Sequence, residues 1–136
     1  MILSVNQQSL SETERAGCAP SMSQQQIRAR ELRDQIVPKL KVVETVVQTL
    51  INDRMMQYKQ GHERKRFEAL KSEFELEVMM IRMNLKHLMK REALLLERTW
   101  NGDDAAAETL LALDELEANA IERLQTLYRR AQALNA

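Results

Sequence analysis

Apolar and polar positions follow one another along this chain with the period of a helix, in three blocks set apart by glycine-bearing breaks. Stepped at 100° per residue, Leu32, Ile36, Leu40, Val43, Val46, Val47, Leu50, Ile51 and Tyr58 fall on one face. They predict a first helix over about 24–60, with Ser23 as its N-cap and Gly61 as its C-terminal cap. Pro38 lies inside that segment. A proline there removes a hydrogen bond and crowds the preceding turn, so a kink or a fresh helix start is expected at Val37-Pro38. Phe67, Leu70, Phe74, Val78, Ile81, Leu85, Leu88 and Leu95 then recur in steps of three and four, the mark of a seam that faces other helices. They predict a second helix over about 63–100. Asn101-Gly102 stops it, and Asp103 or Asp104 caps a third helix over about 104–134. That helix would turn Leu110, Leu113, Leu116, Ala120, Leu124, Leu127, Ala131 and Leu134 to one side.

Turns of only a few residues force successive helices to run antiparallel. The expected fold is therefore all-α: an elongated antiparallel three-helix bundle of coiled-coil-like helices, one domain over residues 23–136. A helical hairpin that dimerises is the alternative. Residues 1–22 are rich in Ser, Gln, Asn and Glu, show no period and end in GCAPS, so a flexible tail is expected there.

The second segment differs from the other two in carrying two apolar faces. With Ile81 as the origin, its seam residues lie within roughly 60°, while Ala69, Leu76, Met80, Met83, His87 and Leu94 form a separate stripe. Glu73, Glu77, Asn84 and Arg91 separate the two on one side, and Glu75, Arg82 and Lys86 on the other. The stretch MMIRMNLKHLM (Met79 to Met89), which runs through this stripe, holds four of the chain's 8 methionines. A helix with two neighbours needs one broad apolar face, so the second must be covered by something else, stay exposed, or mean that the bundle is not a simple one. Methionine is flexible and polarisable and is over-used on surfaces that bind varied apolar partners. Leu76, Met79, Met80, Met83, His87 and Leu94 are accordingly the candidate partner-binding residues. The competing reading is that the stripe is also core, covered by the N-terminal tail. A third is a soft-metal site, in which Met80, Met83 and His87 offer ligands suited to copper(I). Such spacings are common in amphipathic helices and no cysteine or second histidine stands nearby, so no metal is expected.

Charge and composition narrow the classes. Lys plus Arg and Asp plus Glu both number 20, giving a formal net charge of zero, which disfavours bulk electrostatic binding to nucleic acid or an anionic membrane. The corner KQGHERKR concentrates Lys59, His62, Arg64, Lys65 and Arg66, yet without interleaved aromatics it reads as a solvated corner. Trp100 is expected to pack the end of the bundle. The single cysteine, Cys18, excludes an internal disulfide. No apolar run approaches the roughly 20 residues that cross a bilayer, and the N-terminus lacks the basic start and long apolar centre of a secretory signal. A cytoplasmic protein is expected. Neither a glycine-rich phosphate loop nor a nucleophile beside a base stands out, so no enzyme, cofactor or small-molecule substrate is expected. RELRDQI (Arg30 to Ile36) resembles the first helix of helical chorismate mutases, but the later charged positions of such a site do not follow at that family's spacing.

The last third of the chain, from HLMKREALLLERTWNGDD to LQTLYRRAQAL, resembles the flagellar and type III secretion export chaperones. It shares their leucine-rich helix containing a glutamate, a short turn with Asp, and a second helix of Leu and charged residues ending in arginines. Leu88, Glu92, Leu95, Asp103, Leu110, Leu113, Leu116, Leu124, Leu127, Arg129 and Arg130 are the matching positions. In those chaperones the motif lies nearer the N-terminus, whereas here it closes the chain. The resemblance implies a cytoplasmic, non-enzymatic helper that holds apolar helical segments of a client. The coiled-coil stalk proteins of the same machines are its neighbouring alternative. The functional expectation is a small helical protein–protein interaction protein, an export chaperone or accessory factor. Its rival is a structural coiled-coil subunit of a homo- or hetero-oligomer.

Overall fold

The computed structural model describes residues 25–135. The tail expected over 1–22 and the Ser23 cap lie outside them. The class is all-α, with one short strand pair among the described residues. Strand β1 (Gln26–Arg28) leads into a long helix α1, residues 29–57. A four-residue corner follows, and then α2 (His62–Arg91) and α3 (Ala93–Trp100), which meet at Glu92. A single turn α4 (Asp104–Glu108), strand β2 (Leu110–Ala112) and α5 (Glu115–Asn135) complete the chain.

Helix α1 runs through Pro38 without ending. Leu32–Ile36 is a π turn, closed by Val37 N–H on the Leu32 carbonyl, and the α-helical segment Val37–Val46 restarts with proline in its first turn. The wider turn admits a ring that would crowd a regular one, and an N–H missing from a first turn is missed least. A second π turn, Val47–Ile51, holds the rest of the segment in phase, since Val43, Val46, Val47 and Ile51 are all buried. The helix starts later than the sequence suggests because residues 26–28 are extended. Glu31 accepts the Arg28 N–H at 3.0 Å and so closes the N-terminal turn. It also ends earlier, at Gln57. Gly61, with φ 95°, serves as the N-cap position of α2 instead of the C-terminal cap of α1. The last carbonyls of α1 are met by Arg64, which donates to the Met55 carbonyl at 2.7 Å.

The predicted third helix is broken in the middle. Asp103 caps α4 by accepting the Ala106 N–H at 3.1 Å, but the turn lasts only to Glu108. Residues Leu110–Ala112 pair antiparallel with β1 in the register Gln26↔Ala112, Ile27↔Leu111, Arg28↔Leu110. Burial there alternates with period two: Leu111 and Leu113 are buried and Leu110 is exposed. The helical phase therefore restarts at α5, and Leu116, expected inside, is 63% exposed. Ala120, Leu124, Leu127 and Ala131 hold the expected face. The one-residue break at Glu92 (φ −105°, ψ 25°) likewise shifts α3, so that Leu96 and Thr99 are buried and Leu95 only partly. Trp100, expected to pack an end, is 45% exposed.

The three long helices share one core, in which Leu32, Phe74, Ile81, Leu88 and Leu124 are wholly buried. Each side chain of this size contributes roughly 1.5–3 kcal/mol by leaving water. Polar pairs across the core give the directions. Glu73 meets Arg130, Glu77 meets Arg123, and His87 and Arg91 meet Glu117, so α2 runs against α5. Arg82 meets Glu44 and Arg64 meets Met55, so α2 also runs against α1. Among the described residues no helix is long and apolar enough to cross a membrane.

A candidate protein-docking face on the second helix

Helix α1 and helix α5 both lie on the side of α2 that carries Phe74, Val78, Ile81, Leu85 and Leu88, all buried. Among the described residues nothing covers the opposite side. Leu76 and Met83 are each 65% exposed there, and Leu94, on α3, is 80% exposed. These three point away from the core, and the candidate residues beside them lean to one flank or the other. Met80 is half-buried toward α5, with Arg123 Nη1 3.6 Å from its sulfur. His87 leans the same way, its Nδ1 2.7 Å from Glu117 Oε2. Met79 leans toward α1, at the rim of a groove of about 310 Å³ lined by Glu44, Val47, Gln48, Glu75 and Arg82. Of the six residues singled out from the sequence, Leu76, Met79, Met83, His87 and Leu94 are exposed and Met80 is half-buried, with Met80 and His87 tied to α5.

That edge is anchored by a carboxylate that sequence reasoning missed. Glu117 is wholly buried, at the start of α5. Arg91 grips it with both arms, Nη1 to Oε2 at 2.6 Å and Nη2 to Oε1 at 2.8 Å. The Asp114 N–H donates to Oε1 at 3.0 Å, while Asp114 Oδ1 accepts the Glu117 N–H at 2.7 Å, a reciprocal cap. Arg91 also donates to the Ala112 carbonyl at 2.8 Å, which fastens the end of β2 to α2. Burial pushes the Glu117 carboxyl up, but the donated hydrogen bonds of Arg91, Asp114 and His87, with the Arg91 charge, outweigh it and hold the group at about 2. An ionised carboxylate only accepts, so the His87 Nδ1 that touches it carries the hydrogen. Half of this arrangement was legible in the sequence: Asp114-Glu115-Leu116-Glu117 is a capping-box spelling. The partners on α2 stand too far along the chain to be read.

His87, Asp114 and Glu117 offer three ligand atoms that lie within 4.8 Å of one another. Both Glu117 oxygens already accept two hydrogen bonds each, from Arg91, His87 and the Asp114 N–H. A cation would have to displace the guanidinium, so the donor set fits an ion pair better than a metal. The Met80–Met83–His87 set read from the sequence fares no better, because Met80 and His87 are both engaged with α5.

Along the same edge, Arg130 forks onto Glu73 at 2.8 and 3.1 Å and holds its carboxyl below the ordinary range. In the basic corner that opens α2, Arg64 pairs with Glu68 and Arg66 with Glu63. No family model, no curated protein and no solved structure matches the chain.

Proposed function

We propose that the protein is a small, cytoplasmic, non-enzymatic interaction protein that docks an apolar helical segment of a partner protein on the outer face of α2. The observation that carries this reading is the exposure of Leu76, Met79, Met83 and Leu94 on a helix whose other face is buried by both neighbours. Contiguous exposed apolar surface with a charged rim marks interaction sites. Methionines supply contact area that adapts to more than one partner shape. Affinity would come from Leu76 and Met83 at the centre, and discrimination from the charges beside them. The resemblance of the last third to export chaperones supports a client-holding role, although that stretch departs from a plain helix-turn-helix where Leu110–Ala112 forms a strand.

The test is the triple variant Leu76→Gln, Met80→Gln, Met83→Gln. Glutamine keeps the length and helix propensity of methionine, so the apolar character of the face is the variable. The variant alone should melt as the wild type does. It should also lose binding to a synthetic amphipathic helix with leucine on one face that the wild type captures. Partial unfolding of the variant would overturn the reading, since three amides would then have been placed in a core at roughly 1–3 kcal/mol each.

A further inference from the structure

The charges around the outer face of α2 are not distributed evenly along it. Between residues 72 and 90, Glu73, Glu77 and Arg82 are neutralised within the chain, by Arg130, Arg123 and Glu44. Among the described residues Glu75, Lys86 and Lys90 form no ion pair, and all three are exposed. The acidic one precedes the methionine centre and the basic ones follow it. Leu76 stands four residues before Met80 and Met83 three after; Glu75 stands five before and Lys86 six after. Reversed end to end about Met80, the face is therefore its own complement to within one residue.

From this we infer that a second copy of the chain covers the stripe, with the two α2 helices antiparallel about a two-fold axis near Met80. The inference rests on the reading of this surface as a docking face and names its occupant. In such an isologous contact each residue pair occurs twice. Leu76 of each copy meets Met83 of the other, Met80 meets Met80, and Glu75 of each copy meets Lys86 of the other. In a parallel pairing the flanks cross, so Glu75 and Lys86 of one copy would face the flank that carries Glu73, Glu77 and Arg91, whose charges are already paired within the chain. Only the antiparallel arrangement sets Glu75 against Lys86. The charge order thus selects both the partner and its direction. One stripe per copy is a modest contact, so the dimer is concentration-dependent.

Sedimentation equilibrium on the full chain across a dilution series reads the outcome directly. The wild type should move from 15.8 kDa toward twice that mass as concentration rises. Glu75→Lys and Lys86→Glu, each folded by circular dichroism, should each weaken the dimer by about tenfold or more, because each places two like-charged contacts in it. An equimolar mixture of the two should restore it, since every contact across the mixed pair is again Glu to Lys. A wild type that stays monomeric throughout, reversals without effect, or a mixture that fails to rescue would each overturn the homodimer. The Leu76→Gln, Met80→Gln, Met83→Gln variant separates the two levels. If it unfolds as a monomer, the docking face falls along with the dimer. If it folds normally while the wild type is monomeric, only the second copy as occupant is ruled out, in favour of residues 1–24 or a different protein.

Discussion

The inner and outer faces of α2 share one backbone and one periodicity, yet they differ in side-chain type and in fate. The inner face presents Phe74, Val78, Ile81, Leu85 and Leu88, and every one is buried. Branched and aromatic side chains have few rotamers and fill fixed space, as a core shared by three helices requires. The outer face presents Leu76, Met79 and Met83, which remain in water along with His87. Unbranched thioethers lose little by having no fixed neighbour. Leu76 and Leu94 stay exposed although they are branched, so an apolar stripe says only that a surface is apolar, and the neighbouring helices decide whether it is packed. The asymmetry arises because both neighbouring helices lie on the same side of α2, and nothing among the described residues reaches the other.

The largest expected contrast between the faces comes from truncating the inner one. Phe74→Ala or Ile81→Ala should cost on the order of 2–5 kcal/mol in chemical denaturation, the usual range for a cavity left in a close-packed core. Wild-type midpoints for both would reverse the assignment of the faces. Acid should reveal the next effect, at the edge where the outer face meets α5. The Glu117 carboxyl is held at about 2 in the fold against an ordinary 4.5. Its contribution, roughly 2–3 kcal/mol, is thus complete above about pH 4.5 and is lost as the pH falls toward 2. Glu117→Gln should lower stability at neutral pH and flatten that acid limb; an unchanged limb would show that other carboxylates govern it. A smaller contrast lies within one strand. Leu111→Ala should destabilise by about 2 kcal/mol or more, while Leu110→Ala, its exposed neighbour, should stay within about 0.5 kcal/mol. The smallest effect is expected from deleting residues 1–22, which should move the melting temperature by less than about 5 °C, the scale of 1 kcal/mol in a domain of this size. A larger drop would mean that these residues pack on the helices, with the outer face of α2 as the first place to look.

Helix periodicity determined the inner faces of α1 and α2 and most of α5 from sequence alone, because the side-chain pattern that specifies a helix repeats within a few residues. It also marked the two-faced character of α2 and the caps at Asp103 and Gly102, which are local spellings. What periodicity could not carry were features settled by residues far apart in the chain. Residues 109–114 read as helix because Leu110, Leu113 and Leu116 keep a helical spacing. The structure makes a strand there because the extended segment around Gln26–Arg28 exchanges hydrogen bonds with it, Leu113 N–H donating to the Gln25 carbonyl and Ala29 N–H to the Thr109 carbonyl, both at 3.0 Å. Beyond its capping-box spelling, nothing in the local sequence sets Glu117 apart from other glutamates; Arg91 and His87, which close on it, stand 26 and 30 residues earlier in the chain. Likewise, the sequence displayed two stripes on α2, and only the placement of α1 and α5 on one side decided which stripe would be buried. Local pattern selects the elements and their faces; which face is covered is decided by neighbours that no window along the chain contains.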